Sequence, residues 1–443
     1  MDDALRLPRA VLRRLAPLLL LALLCSVGGE ALAAAPDFDP AAATQAYLDS
    51  VPADARARSD AYFEGGYWLQ LWSFVITAVI MIGLLHTGVS ARLRDLVDRY
   101  VRWVSVRPAV YALVFLWLNA ALRFGWELYA EYFREHAYGL SNLSFGEWAG
   151  ELLKGLLVGS VMAPLLAMAI YAVFRRAPRR WWMWGTAVML VFAILGGAIA
   201  PVYIAPIFNT YTELEDGPVR RSVLRMATAS GVKTDKVLKS DASRQSTRIS
   251  ANVSGMLGTE RITLNDNLLT RCTPEEVEAV MGHEIGHYVL NHAYEGIITI
   301  TLLIMVLFAA AQRAFERAVA RWGERWRVRG IADPAGLPLL LLIMSALGLL
   351  ATPVTNTMIR VNEAEADIYG LNAARQPDGF ATVALKLGDY RKLDPSPLEE
   401  LIFFDHPSGR ARIRMAMEWK AAHLSATATE TTTATTPAAA ATE

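Results

Sequence analysis

Cysteine is almost missing from this 443-residue chain, which holds only Cys25 and Cys272. Two cysteines exclude a disulfide framework and a cysteine-rich metal site. Charge is also scarce: 19% of residues are Asp, Glu, Lys or Arg, against 54% hydrophobic, and mean hydropathy is +0.28. A soluble domain has about 25% charged and roughly 45–50% apolar residues. That deficit points to membrane helices. Neither sign of charge is in excess, with 43 basic and 43 acidic residues. A nucleic-acid binder would carry a basic surplus, so nucleic acid is not an expected partner.

What the chain does have begins at its N-terminus. Arg6, Arg9, Arg13 and Arg14 precede the apolar run 15–24, and Ala31-Leu32-Ala33 follows. This is the layout of a secretory signal peptide over 1–33, with an uncleaved anchor helix as the alternative. Cleavage would leave Cys272 alone, unable to pair within the monomer.

Six further apolar stretches follow, at about 67–87, 108–126, 152–174, 182–204, 295–312 and 337–356. Each is near the ~20 residues that cross a bilayer. Aromatic residues such as Tyr67, Trp68, Trp181, Trp182 and Trp184 mark their ends, as interface anchors do. The segment 205–294 breaks the pattern and reads as a soluble insert. It holds a strand-like stretch, Arg261 to Leu264, and a helix start at Thr273-Pro274-Glu275-Glu276. A second polar stretch, 357–424, reads as helical. The tail 425–443 is almost all Ala, Thr and Glu and is expected to be disordered.

Arginine sets an expected orientation. The loops 88–107, 175–180 and 313–334 hold five, four and six Arg. The intervening segments 28–66 and 127–151 are acidic. Alternation along the chain puts the Arg-rich loops on one side, expected to be the cytoplasm by the positive-inside rule. The insert 205–294 and the segment 357–443 then face the periplasm of a bacterial inner membrane. Scarce lysine beside abundant arginine, with a signal peptide, suggests a bacterium.

Chemistry concentrates in Met281-Gly282-His283-Glu284-Ile285-Gly286-His287, which contains H-E-x-x-H. Positions four apart share a helix face, so both imidazoles can hold one ion. Glu284 lies a step around the helix, placed to act on a water molecule rather than to bind the metal. Pro274 and the acids Glu275, Glu276 and Glu278 support a helix here. A catalytic zinc needs a third protein ligand. Glu363 and Asp367, four apart in Asn362-Glu363-Ala364-Glu365-Ala366-Asp367, share a face. Glu363 can complete the site, and Asp367 can accept a hydrogen bond from a ligating histidine. Glu365 should point elsewhere, as a solvated or structural acid. His292 should rotate off the metal face toward a membrane interface. His406, in Asp405-His406-Pro407, fits either a donor to a developing oxyanion or a structural histidine. His86, His136 and His423 have no partner in sequence.

Together these motifs resemble the integral-membrane zinc metalloproteases of the type I CAAX prenyl protease family. The likeness extends past the zinc motif. Phe133 to Asn142 is similar to the family's glutamate-rich segment, and Pro201 to Asn209 to its stretch before the insert. Ser250-Ala251-Asn252-Val253 resembles its Asn-Ala-Tyr strand, and Arg261 to Leu269 the segment after it. The likeness spans about residues 45–420.

The resemblance implies a mainly α, polytopic fold: six to seven transmembrane helices ring a water-filled chamber. A gluzincin-type peptidase domain with a small sheet closes one end. It divides the chain into a membrane-helix domain at 34–204 and a zinc peptidase domain at 205–424 that includes two spans. It implies one Zn2+ on His283, His287 and Glu363, with Glu284 as general base and Asp367 behind a ligand. It places His406 and Arg412 in the active site, and Asn252 on a strand that pairs with extended substrate. Two departures stand out. The family has seven membrane helices, against six plus the N-terminal segment here. Val253 also stands where the family has an aromatic residue. The expected function is a membrane endopeptidase acting on membrane-associated or misfolded proteins, with protein substrate and membrane lipid as partners. Prenylated substrates are not expected in a bacterium. The alternative is a non-catalytic chamber that binds peptide or lipid-linked ligands around a structural zinc; the intact Glu284 disfavours it. A shorter heat-shock type membrane protease shares the zinc motif but lacks the helical block before residue 205.

Overall fold

A computed structural model describes residues 38–255 and 260–434. The signal-peptide reading of 1–33, with Cys25, lies outside these residues. So does the end of the Ala/Thr-rich tail.

A short helix, α1 (Pro40–Asp49), opens the described chain. The membrane block follows: α2 (Ala53–His86), an amphipathic α3 (Val89–Tyr100), α4 (Arg107–Ala137), α5 (Phe145–Arg176) and α6 (Trp181–Phe208). Then come α7 (Pro218–Ala229), α8 (Asp266–Arg271), α9 (Pro274–Val289), α10 (His292–Trp326) and α11 (Leu337–Ala374). Helices α12 (Pro377–Leu387), α13 (Pro397–Phe403) and α14 (Gly409–Ala434) close the chain. Among the described residues six helices are long and apolar enough to cross a membrane: α2, α4, α5, α6, α10 and α11. Their outer faces carry exposed apolar side chains such as Val79, Val161 and Leu350, as lipid-facing helices must. Inside the ring, Arg123 on α4 donates to Glu127 and to Thr77 and Ser73 on α2. Charged groups at membrane depth need such partners or a wet interior.

The helices are longer than the hydropathy stretches. The first half of α2 is polar, so no apolar window includes it. It docks onto the peptidase side instead: Arg248 donates to the Tyr62 hydroxyl, and Lys392 pairs with Glu64. The last helix likewise runs to Ala434, into the stretch expected to be disordered.

Four strands form a mixed sheet in the insert: β1 (Tyr211–Glu213), β2 (Val237–Ser240), β3 (Ala251–Ser254) and β4 (Arg261–Asn265), in the order β1-β2-β4-β3. The strand-like stretch from Arg261 is β4. Among the described residues β3 pairs only with β4, antiparallel, and stands at the edge of the sheet. Ile262 and Leu264 of β4 pack with Val277, Met281 and Ile285 of α9 in one buried core. That core pins α9 against the sheet. Its N-terminus has the expected start: Thr273 caps, Glu276 closes a capping box, and Pro274 sits at the first position.

The opposite face of α9 lies against α11 with no room for side chains. A Cβ on Gly370 would meet the His283 backbone nitrogen at 2.7 Å, and one on Gly282 would meet the Gly370 carbonyl at 2.9 Å. Glycine here is a packing requirement. It lets two backbones touch and brings residues 363–367 against 283–287. Far along the bundle, the three Arg-rich loops meet. Arg94, Arg107, Arg175 and Arg329 line one cavity of about 380 Å³, and buried Arg94 donates to buried Asp333 at 2.7 Å. α10 runs from His292 near the HExxH helix to this Arg-rich end.

Candidate metal centre

His283 and His287 project from α9 toward α11, and their Nε2 atoms lie 3.1 Å apart. Glu363 Oε2 lies 3.3 Å from His283 Nε2, and Oε1 lies 3.4 Å from His287 Nε2. The three residues place one ligand atom each within 4.8 Å of one another. The hydrogen-bonding pattern fits a cation at their centre. His283 Nδ1 is 2.7 Å from Asp367 Oδ1. A carboxylate there fixes the proton on Nδ1 and leaves Nε2 as a lone pair. Two such lone pairs facing each other repel unless a positive charge lies between them. Glu363 Oε2 is buried and accepts no hydrogen bond, although imidazole nitrogens of His283 and His406 come within 3.3 Å. Burial opposes charge on His283, but the adjacent Asp367 and Glu363 carboxylates prevail and raise it to about 9. The two carboxylates favour a positive charge at this place.

Asp367 is fully buried and held in turn by Arg412, whose Nε donates to Oδ2 at 2.9 Å and Nη2 to Oδ1 at 2.5 Å. Two of the three guanidinium nitrogens of Arg412 are thus committed to orienting a ligand's partner. His406 Nδ1 is 2.8 Å from Asp405, and its Nε2 is 3.2 Å from Glu363 Oε2. Burial works against the Asp405 carboxylate, yet the adjoining imidazole keeps it below the usual range. Glu284 lies beside the cluster, and burial pushes its carboxyl above the usual range.

His292 does not turn away to a membrane interface. It is 5% exposed, with Nδ1 2.9 Å from His287 Nδ1 and Nε2 3.3 Å from Glu365 Oε2. The expectation failed because α9 stops at Val289 and its helical spacing does not continue. Asn291 takes a left-handed conformation, φ 60°, and α10 starts afresh at His292. An asparagine just past an apolar helix is a stop signal that the sequence offered. Glu365 points away from the three-residue cluster, as expected of a solvated or structural acid, and meets His292. His86 and His136, by contrast, hydrogen-bond the backbone carbonyl four residues back and lie against the rings of Trp326 and Tyr132.

Two cavities meet at Glu284. One, about 200 Å³, includes Ser250, Ala251, His283, His406 and Arg412 in its wall. The other, about 660 Å³, includes Val253, Gly255, His287 and Glu363. Asn252 lines neither cavity; it stands on the edge strand between Ala251, which lines the first, and Val253, which lines the second.

The family model "Peptidase family M48" matches residues 213–420, and "CAAX prenyl protease N-terminal, five membrane helices" matches 41–210. The chain belongs to peptidase family M48. It is a multi-pass membrane metalloprotease of the CAAX prenyl protease 1 type. Among M48 relatives, the metalloprotease YhfN of Bacillus subtilis is 26% identical over 75% of this chain and 78% of its own. CAAX prenyl protease 1 of Saccharomyces cerevisiae is 27% identical over 71% and 73%. The crystal structure of S. mikatae Ste24p superposes with a TM-score of 0.70 at 19% identity, covering 85% of this chain and 94% of that one. The shared M48 fold is the ring of membrane helices around a chamber. Four membrane-capable helices lie within 41–210 here, against five in that model's description.

Proposed function

We propose that this protein is a zinc-dependent endopeptidase of the membrane, with His283, His287 and Glu363 as zinc ligands. The observation that carries this is the convergence of those three side chains beside a partly buried Glu284, outside the three-residue cluster and lining both cavities. Zinc in such a site acidifies a water and polarises the scissile carbonyl. Glu284 takes the proton of the attacking water and hands it to the leaving amine. Its raised pKa suits both halves of that task. His406, oriented by its Nδ1 contact with Asp405, donates from Nε2 to the developing oxyanion. Arg412 acts chiefly through Asp367, holding His283 in register. Substrate lies extended along β3 beside Asn252 and gains a strand partner.

The substrates are membrane-associated or misfolded proteins. Relatives named CAAX prenyl proteases support the chemistry, and nothing in this chain's residues calls for a prenyl group. The domain division is 34–204 and 205–424. The zinc side faces the periplasm of a bacterial inner membrane, because the Arg-rich loops gather at the other end. An alkaline phosphatase fused to the C-terminus should be active; an inactive fusion refutes that orientation. Purified protein should hydrolyse a casein reporter, stop with a chelator and recover with zinc. Hydrolysis indifferent to chelator defeats the assignment. The rival reading, a binding chamber around a structural zinc, predicts no hydrolysis at all and leaves Glu284 without a use.

A further inference from the structure

The cations around the smaller cavity are paired, with one exception. Arg412 is bound to Asp367, and His406 lies against Asp405 and Glu363. Nearby Arg248 donates to Glu135 at 2.6 Å. Arg391 is half-buried in the wall of the same cavity, and its guanidinium has no ion-pair or hydrogen-bond partner among the described residues. Its position is nevertheless fixed. Ser59 donates to the backbone carbonyl of Arg391 at 3.1 Å, Lys392 is clamped by Glu64 and Glu399, and Asp394 is held by Arg410. The flanking charges are all satisfied; the one facing the reacting groups is not. Burial and the nearby Arg412 charge both press the Arg391 pKa down, against weaker help from Tyr390, Asp405 and Glu363. A guanidinium drawn out of water without a counter-ion is unfavourable. Its five donors form a planar fork that matches a carboxylate.

We propose that Arg391 binds a carboxylate of the substrate and selects peptides that carry one close to the scissile bond. The inference rests on the peptidase reading above, and it supplies a specificity that reading lacks. The cavity, about 200 Å³, is smaller than the roughly 300–1,000 Å³ of a drug-sized ligand site. It has room only for substrate close to Glu284. The carboxylate is either the chain's own C-terminus or an acidic side chain, and the two share one chemistry.

The test uses full-length protein and three fluorescent peptides of one sequence. One ends in a free carboxylate just past the bond cut, one is its amide, and one is the amide with a single Asn→Asp change beside the bond. Cleavage by the native protein should show a KM roughly ten- to a hundredfold lower for an anionic peptide than for the neutral amide. The anionic peptide that gains identifies the source. Arg391→Gln should abolish the difference, and Arg391→Lys should restore part of it. Equal KM values in the native protein overturn the proposal. So does an Arg391→Gln protein that weakens all three peptides alike, which would mark a structural or carbonyl-binding role. Fluorescence anisotropy with the Glu284→Gln protein repeats the comparison without turnover. Preferential binding with no cleavage by native protein would sink the peptidase reading and leave this inference standing. Cleavage without preference would do the reverse.

Discussion

His292 Nδ1 stands 2.9 Å from His287 Nδ1. His287 donates from that nitrogen only if His292 accepts, and His292 then donates from Nε2 to Glu365, 3.3 Å away. The two proposed histidine ligands therefore have separate supports: Asp367 with Arg412 behind His283, and His292 with Glu365 behind His287. Removing an outer partner of a metal ligand costs about 10–100-fold in metal affinity. His292→Ala should lose zinc to a competing chelator at a concentration in that range below the native protein. Glu365→Gln should lose less, because it is one step further out and 56% exposed as a side chain. Metal retention equal to native in His292→Ala would show that the contact does not position His287.

Glu284→Gln keeps shape and ligands but removes the base. Zinc stoichiometry should stay near one, while kcat falls roughly 10²–10⁴-fold. His283→Ala should lose both metal and activity. Full activity in the Glu284→Gln protein rules out the mechanism.

Arg412→Met leaves Asp367 charged and fully buried without its guanidinium. Losing one partner of a buried pair costs about 3–5 kcal/mol. A marked fall in thermal midpoint in detergent is expected, partly recovered in Asp367→Asn/Arg412→Met. An unchanged midpoint would mean the pair is solvated.

Gly370→Ala places a methyl where the His283 backbone nitrogen would lie 2.7 Å away. α9 and α11 must separate, and Glu363 leaves the histidines. Overpacking costs about 1–3 kcal/mol, and the metal should be lost before the fold. Gly348→Ala, with nothing within 4 Å of the added Cβ on the same helix, is the control. It should keep metal and stability.

Burial, with Glu276 nearby, pushes the Cys272 thiol up to about 11. The thiol stays neutral at ordinary pH, and its thiolate fraction grows only as pH climbs toward 11. In a Cys25→Ser protein at pH 8, iodoacetamide should label Cys272 on the order of a hundredfold more slowly than a free thiol of pKa ~8.5. The rate should rise steeply with alkali. Fast labelling at pH 8 would mean the thiol is not desolvated.

Much of this was legible in the residues. Apolar runs near bilayer length, the capping box at Thr273 and the four-residue spacings of His283/His287 and Glu363/Asp367 depend on local geometry, which repeats wherever the helix forms. Alternation along the chain puts the three Arg-rich loops on one side, and they share one cavity. Helical spacing misplaces His292 because the helix does not continue past the turn at Asn291. The polar half of α2 escaped because hydropathy detects contact with lipid, and that half contacts protein.

The sequence by itself determined which residues have the chemistry to hold a metal, which helices they occupy and which stretches enter the membrane. These follow from side-chain chemistry and from periods of a few residues. Tertiary structure alone decided that α9 and α11 touch through glycine, that Arg412 supports Asp367 from 45 residues away, and that Arg391 faces the site unpaired. Pairing between distant segments depends on which surfaces the fold buries against each other, and no local period encodes that.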